Sequence, residues 1–208
     1  MRLCHTAFFA FIASATSVQA QAASPSSSAP SAPFANKAVV SLLDGPNRVD
    51  INGDGKQDLV LLAWLDNGNA HGRDIVTFYL AYTPAPPIIR AWLVVPLYDS
   101  SSTNNAPDFR TSMGADCILR DIRVLRPKGQ VKAPVQLVTA ERDFGQTYVD
   151  SMPVTFTVYR FVADTPNFAG SPPYYFQAFR TIRSHGKYCD VNDAFRDELG
   201  LAQYRDFQ

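Results

Sequence analysis

Apolar runs recur along residues 37–188, most of them too short for a helix and separated by Gly, Pro, Asn, Asp and Ser. Leu59–Leu65 and Ile75–Tyr82 flank the polar turn Asp66-Asn67-Gly68-Asn69-Ala70-His71-Gly72-Arg73-Asp74, which predicts strand, turn, strand. Pro153–Ala163 alternates cleanly, with Val154, Phe156 and Val158 on one side and Thr155, Thr157 and Tyr159 on the other. Tyr174–Ser184 alternates again, and the two runs predict the longest hairpin, joined by the Pro-rich loop Asp164–Pro173. Val135–Ala140 predicts another strand. Ala91–Tyr98 predicts one that lies at an edge or bulges at Pro96, because proline has no N–H for a ladder. Cys117–Arg126 fits either a helical or a strand face, and its strand neighbours favour a strand. Lys37–Asp44 reads as a short strand or one helical turn, broken by Gly45-Pro46-Asn47. Pro84–Pro87 forbids regular structure, and the polar stretch Asp99–Met113 predicts a long surface loop.

The period changes near the C-terminus. Ala194, Phe195, Leu199 and Ala202 fall on one helical face, Asp190 or Asn192 can cap its start, and Gly200 can end it. The pattern shows no internal repeat and no alternation of strand with helix. It predicts a mainly β fold, an antiparallel sheet or sandwich of about six to seven strands with a short C-terminal helix.

Composition sets the compartment. Met1-Arg2-Leu3 followed by the short apolar stretch Ala7–Ala13 and by small residues up to Val18-Gln19-Ala20 or Ala20-Gln21-Ala22 reads as a signal peptide over residues 1–20. Cys4 stands too early for lipid anchoring. Residues 21–36 are a Ser/Ala/Pro-rich linker without charge, which leaves residues 37–208 as a single globular β-rich domain. The expected location is periplasmic or secreted, with no membrane span after cleavage. Lys+Arg and Asp+Glu balance at 19 each, so nothing points to nucleic acid as a partner. Cys117 and Cys189 are the two cysteines left after cleavage, and in an oxidising compartment they are expected to form a disulfide; two buried thiols are the alternative.

The most informative chemistry lies at Asp50-Ile51-Asn52-Gly53-Asp54-Gly55-Lys56-Gln57-Asp58. Asp50, Asn52, Asp54 and Asp58 place side-chain oxygens at the first, third, fifth and ninth positions of a calcium loop, the Lys56 carbonyl supplies the seventh, and Gly55 allows the sharp turn at the sixth. Leu61 stands where an EF-hand carries glutamate, so the pattern is that of a calcium loop leading into a strand, with a structural Ca2+; a metal-free Asp/Asn/Gly turn is the alternative. Asn69, His71 and Asp74 are candidate binding residues in the polar turn. Two histidines in the mature chain, His71 and His185, are too few for a zinc hydrolase built on several histidines. Ser184 and Lys187 match Ser-x-x-Lys by spacing alone, without a helix to bring lysine to serine. No catalytic residue is assigned, and the protein is expected not to be an enzyme. Arg120, Arg123, Arg126, Arg160, Arg180 and Arg183 would bind a carboxylate or phosphate if they shared a face, and otherwise form a solvated surface.

Three segments together resemble the carbapenem intrinsic-resistance, CarG-like, family of exported bacterial proteins. They are DINGDGKQDLVLLAW from Asp50, NAHGRDIVTFYL from Asn69 to Leu80, and GADCILRDIRVLR from Gly114 paired with CDVNDAF from Cys189. Asn69, His71, Thr77, Phe78, Tyr79, Cys117 and Cys189 carry the match. The resemblance implies a periplasmic homodimer that protects the cell from carbapenems without hydrolysing them, by contact with an unidentified small-molecule or cell-envelope partner. The acidic loop supports another expectation, a calcium-stabilised secreted β module that binds a cell-surface or glycan partner.

Overall fold

The computed structural model describes residues 33–69, 71–83, 91–99, 105–114, 117–163 and 172–203. The signal-peptide reading, most of the linker, the Pro84–Pro87 break and most of the loop before Tyr174 lie outside them. Among the described residues the elements are β1 (Lys37–Val39), β2 (Gly45–Val49), β3 (Asp58–Leu65), β4 (Arg73–Ala81), β5 (Trp92–Val94), β6 (Leu97–Tyr98), β7 (Asn105–Ala106), β8 (Phe109–Arg110), β9 (Ser112–Gly114), β10 (Cys117–Pro127), β11 (Gln136–Arg142), β12 (Met152–Ala163), β13 (Tyr174–Tyr188) and one helix, α1 (Val191–Leu199).

They form two sheets. The larger runs β1-β10-β11-β12-β13-β6-β7, with β9 also on β10; the smaller runs β2-β3-β4-β5, with β8 also on β4. Pairing is antiparallel except between β13 and β6. The mainly β expectation holds, and seven strands are five residues or longer.

Two local expectations are corrected. Gly45-Pro46-Asn47 does not stop the chain but opens β2, the outermost strand of the small sheet, where Pro46 is exposed. A proline is tolerated at an edge because no further strand asks for its N–H. The turn falls just before, where the Asn47 side chain ties back to both the Leu43 N–H and the Leu43 carbonyl. Likewise, Asp99–Met113 is not all loop: β7, β8 and the start of β9 lie within it, and Phe109 is 1% exposed. These strands are too short to show a period. Pro96 marks the point where the chain changes sheets, between β5 on β4 and β6 beside β13.

Alternation decides the packing. Val60, Leu62, Val76, Phe78 and Leu80 of the small sheet face Ile122, Val124, Leu137 and Phe176 of the large one and make the core between the sheets. The other side of the large sheet presents Leu125, Val138, Ala140, Val154, Phe156 and Val158 to Val191, Ala194, Phe195 and Leu199 of α1. Phe34 joins this second core, so the folded unit begins before Lys37. Asp190 is the N-cap, accepting from the Asn192 N–H at 2.7 Å. Gly200, at φ 67°, ends the helix in a left-handed turn that places Leu201 in the core and leaves Ala202, expected on the helical face, beyond it.

α1 is clamped to the end of β13 by one carboxylate. Glu198 accepts from the His185 and Gly186 N–H groups, the Tyr188 hydroxyl and the His185 ring, all at 2.8–2.9 Å. Burial raises the Glu198 pKa, but these donors outweigh it and hold the value at about 2; burial and the adjacent carboxylate push the Tyr188 hydroxyl up to about 12. A depressed carboxylate pKa stabilises the fold above the unfolded value near 4.5 and loses that contribution as the pH falls toward about 2. Thermal melts taken across that window should therefore show a steeper acid loss for the wild type than for Glu198→Gln; equal slopes would remove the clamp from the account.

Candidate functional site

The acidic loop wraps back on its own backbone. Asp50 accepts from the Gly53 and Gly55 N–H groups at 2.7 and 2.9 Å, Asn52 from Asp54, and Asp54 from Lys56. The Lys56 N–H bond holds the Asp54 pKa below its usual value. These oxygens keep a second lone pair each, so Asp50, Asn52 and Asp54 fit a hard cation, with the Lys56 carbonyl beside them in the chain. Asp58 stands apart. It is 1% exposed, and its two oxygens accept from Ile51 N and Ala81 N, both at 2.8 Å, which binds the loop to β3 and β4. Burial raises its pKa despite both donors, with Asp54 and Asp50 adding to the rise. Among the described residues no three His, Cys, Asp or Glu side chains are grouped as a metal site. A cation at this loop would therefore draw on Asn52 and backbone oxygen as well.

The loop also needs its glycine at the fourth position. Gly53 has φ +80°, and a Cβ there would sit 2.5 Å from the Lys132 carbonyl oxygen. The backbone at Lys132–Pro134 passes directly over it, Val135 N donates to Ile51 O, and Arg126 Nη2 donates to Asp50 O. The loop is thereby fastened to the large sheet.

The polar turn separates its three candidate residues. Asn69 accepts from the His71 N–H and shapes the turn. His71 is exposed, with Nδ1 3.3 Å from the Met113 carbonyl and its ring 5.3 Å from that of Tyr148. Asp74 is buried, its main chain paired with Thr111 in both directions. Asn69 and His71 share a surface and Asp74 faces inward. The small residue after His71 is explained by Trp64, whose ring would lie 2.0 Å from a Cβ at Gly72.

Cys117 and Cys189 form the disulfide, with Cα atoms 5.6 Å apart, joining the start of β10 to the segment before α1. Asp190, next in the chain, also accepts from the Ile118 N–H. Arg142 Nη1 donates to the carbonyls of Cys189 and Tyr148 and so anchors the loop that follows β11. That loop carries Phe144 and Tyr148, whose rings meet edge to face at 5.3 Å. Ser184, by contrast, spends its hydroxyl on Val154 N and Gly186 O inside β13, which runs on to Tyr188 rather than ending at Ser184.

Beside the aromatic loop lies a groove of about 520 Å³ that the sequence did not announce. The register explains it. Val124, Leu137 and Tyr159 stand side by side on the face toward the small sheet, and one step along come Ile122, Thr139 and Thr157, then Arg120, Glu141, Thr155 and Arg183. The face turns from apolar to polar, and the small sheet covers the apolar part. What is left open is floored by Thr139, Thr155, Thr157 and Tyr159 and rimmed by Ser112, Arg120, Glu141, Asp143 and Phe144. Burial pushes the Tyr159 hydroxyl's pKa up, against a hydrogen bond with Thr139 and the nearby Arg120 charge. Arg183 is spent on Asp143 and Thr155.

The arginines thus divide between two faces. Arg123 is wholly buried on the helix side, bonded to Asp121, Asn192 and the Ala202 carbonyl, while Arg120 and Arg183 lie on the other. The residues missed by sequence reasoning are Thr139, Glu141, Phe144, Thr155 and Thr157. The one signal was the run of threonines opposite the apolar positions of β12.

A two-sheet β fold pinned by one disulfide, with an acidic loop and an open polar groove, defines the class. The chain belongs to the CarG-like family of carbapenem resistance proteins, whose family model matches residues 42–197. The crystal structure of CarG superposes with a TM-score of 0.62 at 26% sequence identity, over 76% of this chain and 94% of that one. A comparison with curated proteins finds no match.

Proposed function

We propose that this protein is exported, forms a homodimer and protects the cell from carbapenems by binding, without hydrolysing them. Membership in the CarG-like family over residues 42–197 carries the reading. The disulfide between Cys117 and Cys189 agrees with an oxidising compartment. Among the described residues no helix is long and apolar enough to cross a membrane. Leu59, Leu61, Ile75, Tyr79, Trp92 and Val94 alternate with the core positions of the small sheet and give its outward side an apolar surface suited to a second copy. The full chain, expressed in a carbapenem-sensitive host, should appear in the periplasmic fraction at twice its monomer mass and raise the inhibitory concentration. The purified protein should leave the carbapenem's ultraviolet absorbance unchanged. No protection would sink the reading, and loss of absorbance would replace binding by hydrolysis.

The acidic loop has a structural part in the same reading, as a calcium site on Asp50, Asn52 and Asp54. Its support is the three side chains folded over one short stretch of backbone. Adding calcium to chelator-treated protein should raise the melting temperature, and Asp54→Ala should abolish that rise. A melting temperature indifferent to calcium would leave a metal-free turn.

A further inference from the structure

We infer that the groove over Thr139 and Thr157 is a binding site for a small molecule bearing a carboxylate, with Arg120 as its anchor. The inference rests on the reading that the chain works by binding, and it gives that binding a place and a chemistry.

Arg120 is the telling residue. Among the described residues its guanidinium makes no hydrogen bond: Nε is buried without a partner, and the Glu141 carboxylate stands off at 3.7 Å. A buried guanidinium N–H left unpaired is costly. Nε of Arg73, Arg126 and Arg142 is also buried without a partner, and Arg120 differs in lining the groove with a side chain 40% exposed, so that a ligand can reach the rest of its fork. The side chain is nevertheless held in place, with Cζ 4.5 Å from the Phe109 ring centre, so its planar donor fork is oriented before any ligand arrives. The Glu141 side chain is 69% exposed and among the described residues forms no hydrogen bond, which makes it a displaceable neighbour rather than a fixed partner. The other carboxylate at the rim, Asp143, is already taken by Arg183.

The floor supplies the rest. Thr139 and Thr157 face each other across β11 and β12, with Thr155 and Tyr159 on either side. Hydroxyls flanking a loosely paired arginine favour an acceptor-rich ligand. The volume lies within the range of roughly 300–1,000 Å³ usual for small-molecule sites. Phe144, 62% exposed at the rim, offers an apolar surface to the remainder of the ligand. Carbapenems carry a ring carboxylate, and so does any simple organic acid; the shared chemistry is the carboxylate, and the experiment separates the two.

The mature protein is labelled with ¹⁵N and titrated with meropenem and, separately, with N-acetylglycine, following the arginine Nε–H resonances. Meropenem is expected to shift the Arg120 signal saturably. N-acetylglycine should shift it too, more weakly, because it lacks the bulk to reach Phe144. Arg120→Gln should weaken binding about tenfold or more, the loss of a charged bidentate contact. Glu141→Gln should tighten it, and Thr157→Val, which leaves every charge in place, should weaken it. An unchanged melting temperature shows that the variants fold. Meropenem binding unaffected by Arg120→Gln and Thr157→Val would overturn the groove and leave the binding reading standing; protection of cells with neither carboxylate bound would overturn the groove and remove capture of the carbapenem as the means of protection. Arg120-dependent binding in a protein that protects no cell would uphold the groove and remove the protective role.

Discussion

Replacing Arg123 by methionine is expected to destabilise the fold by about 3–5 kcal/mol, the penalty for leaving one member of a buried ion pair alone. Arg123 and Asp121 are 0% and 3% exposed and meet at 2.7 Å between Nη1 and Oδ2. The same guanidinium donates to the carbonyls of Ile122 and Ala202 and to Asn192, and lies 4.3 Å from the Phe195 ring centre. It therefore joins β10 to both ends of α1. Burial raises the Asp121 pKa, Arg123 opposes the rise, and Asp74 adds to it. Without Arg123 the rise is larger. A raised carboxylate pKa means that the folded state holds its proton more tightly, so stability is lost as pH rises through the folded value. The variant should accordingly regain more stability on mild acidification than the wild type does. Asp121→Asn added to Arg123→Met should restore part of the loss at neutral pH, because neither charge of the pair then stays buried. Urea denaturation of the four proteins in the cycle, repeated at two pH values, measures all of this. A cost below about 1 kcal/mol, within the range of surface pairs, would refute the buried-pair account.

The second large effect is expected at the disulfide. Cys117 and Cys189 are separated by 72 residues, and in the chain-entropy model a loop of that length contributes about 4 kcal/mol. Cys117→Ala with Cys189→Ala should lower the urea midpoint accordingly, and reduction of the wild type should reproduce the shift. The location adds to the entropy. Cys189 lies beside the helix cap Asp190, which also bonds to Ile118, and its carbonyl accepts from Arg142. Loss of the bridge should loosen α1 first, seen as faster amide exchange in Val191–Leu199 than in β11. Uniform exchange would mean that the bridge acts on the unfolded chain alone.

Local patterns reached a good part of this fold. Alternation along β12 and β13 is visible because both strands are long and have one apolar face, and the acidic loop is legible because its oxygen-bearing side chains fall within nine successive residues. The division into two sheets was not legible. A period of two says which side chains share a face, and says nothing about which strands pair. β6, β7 and β8 are two residues long, so no period can show in them. Arg123 read as one of six strand arginines, since the partners that bury it, Asn192 and Ala202, lie at the far end of the chain. The groove fails for the same reason. Thr139 and Thr157 are unremarkable alone and become a floor once β11 and β12 are set in register. Asp74 was grouped with His71 by proximity in sequence, but the alternation of β4 turns its side chain the other way.

β1 carries a consequence for the order of assembly. Lys37 lies opposite Pro127 and Val39 opposite Leu125, and the ends are clasped by bonds from Lys128 to Ala35 and Asn36. Everything that makes β2, β3 and β4 lies between these partners in the chain. The small sheet's meander can close through near neighbours, at low loop entropy, as soon as Ala81 has been synthesised. Among the described residues the first strand to emerge, β1, has no partner in its sheet until β10 follows. At this edge of the large sheet, synthesis and pairing proceed in opposite orders.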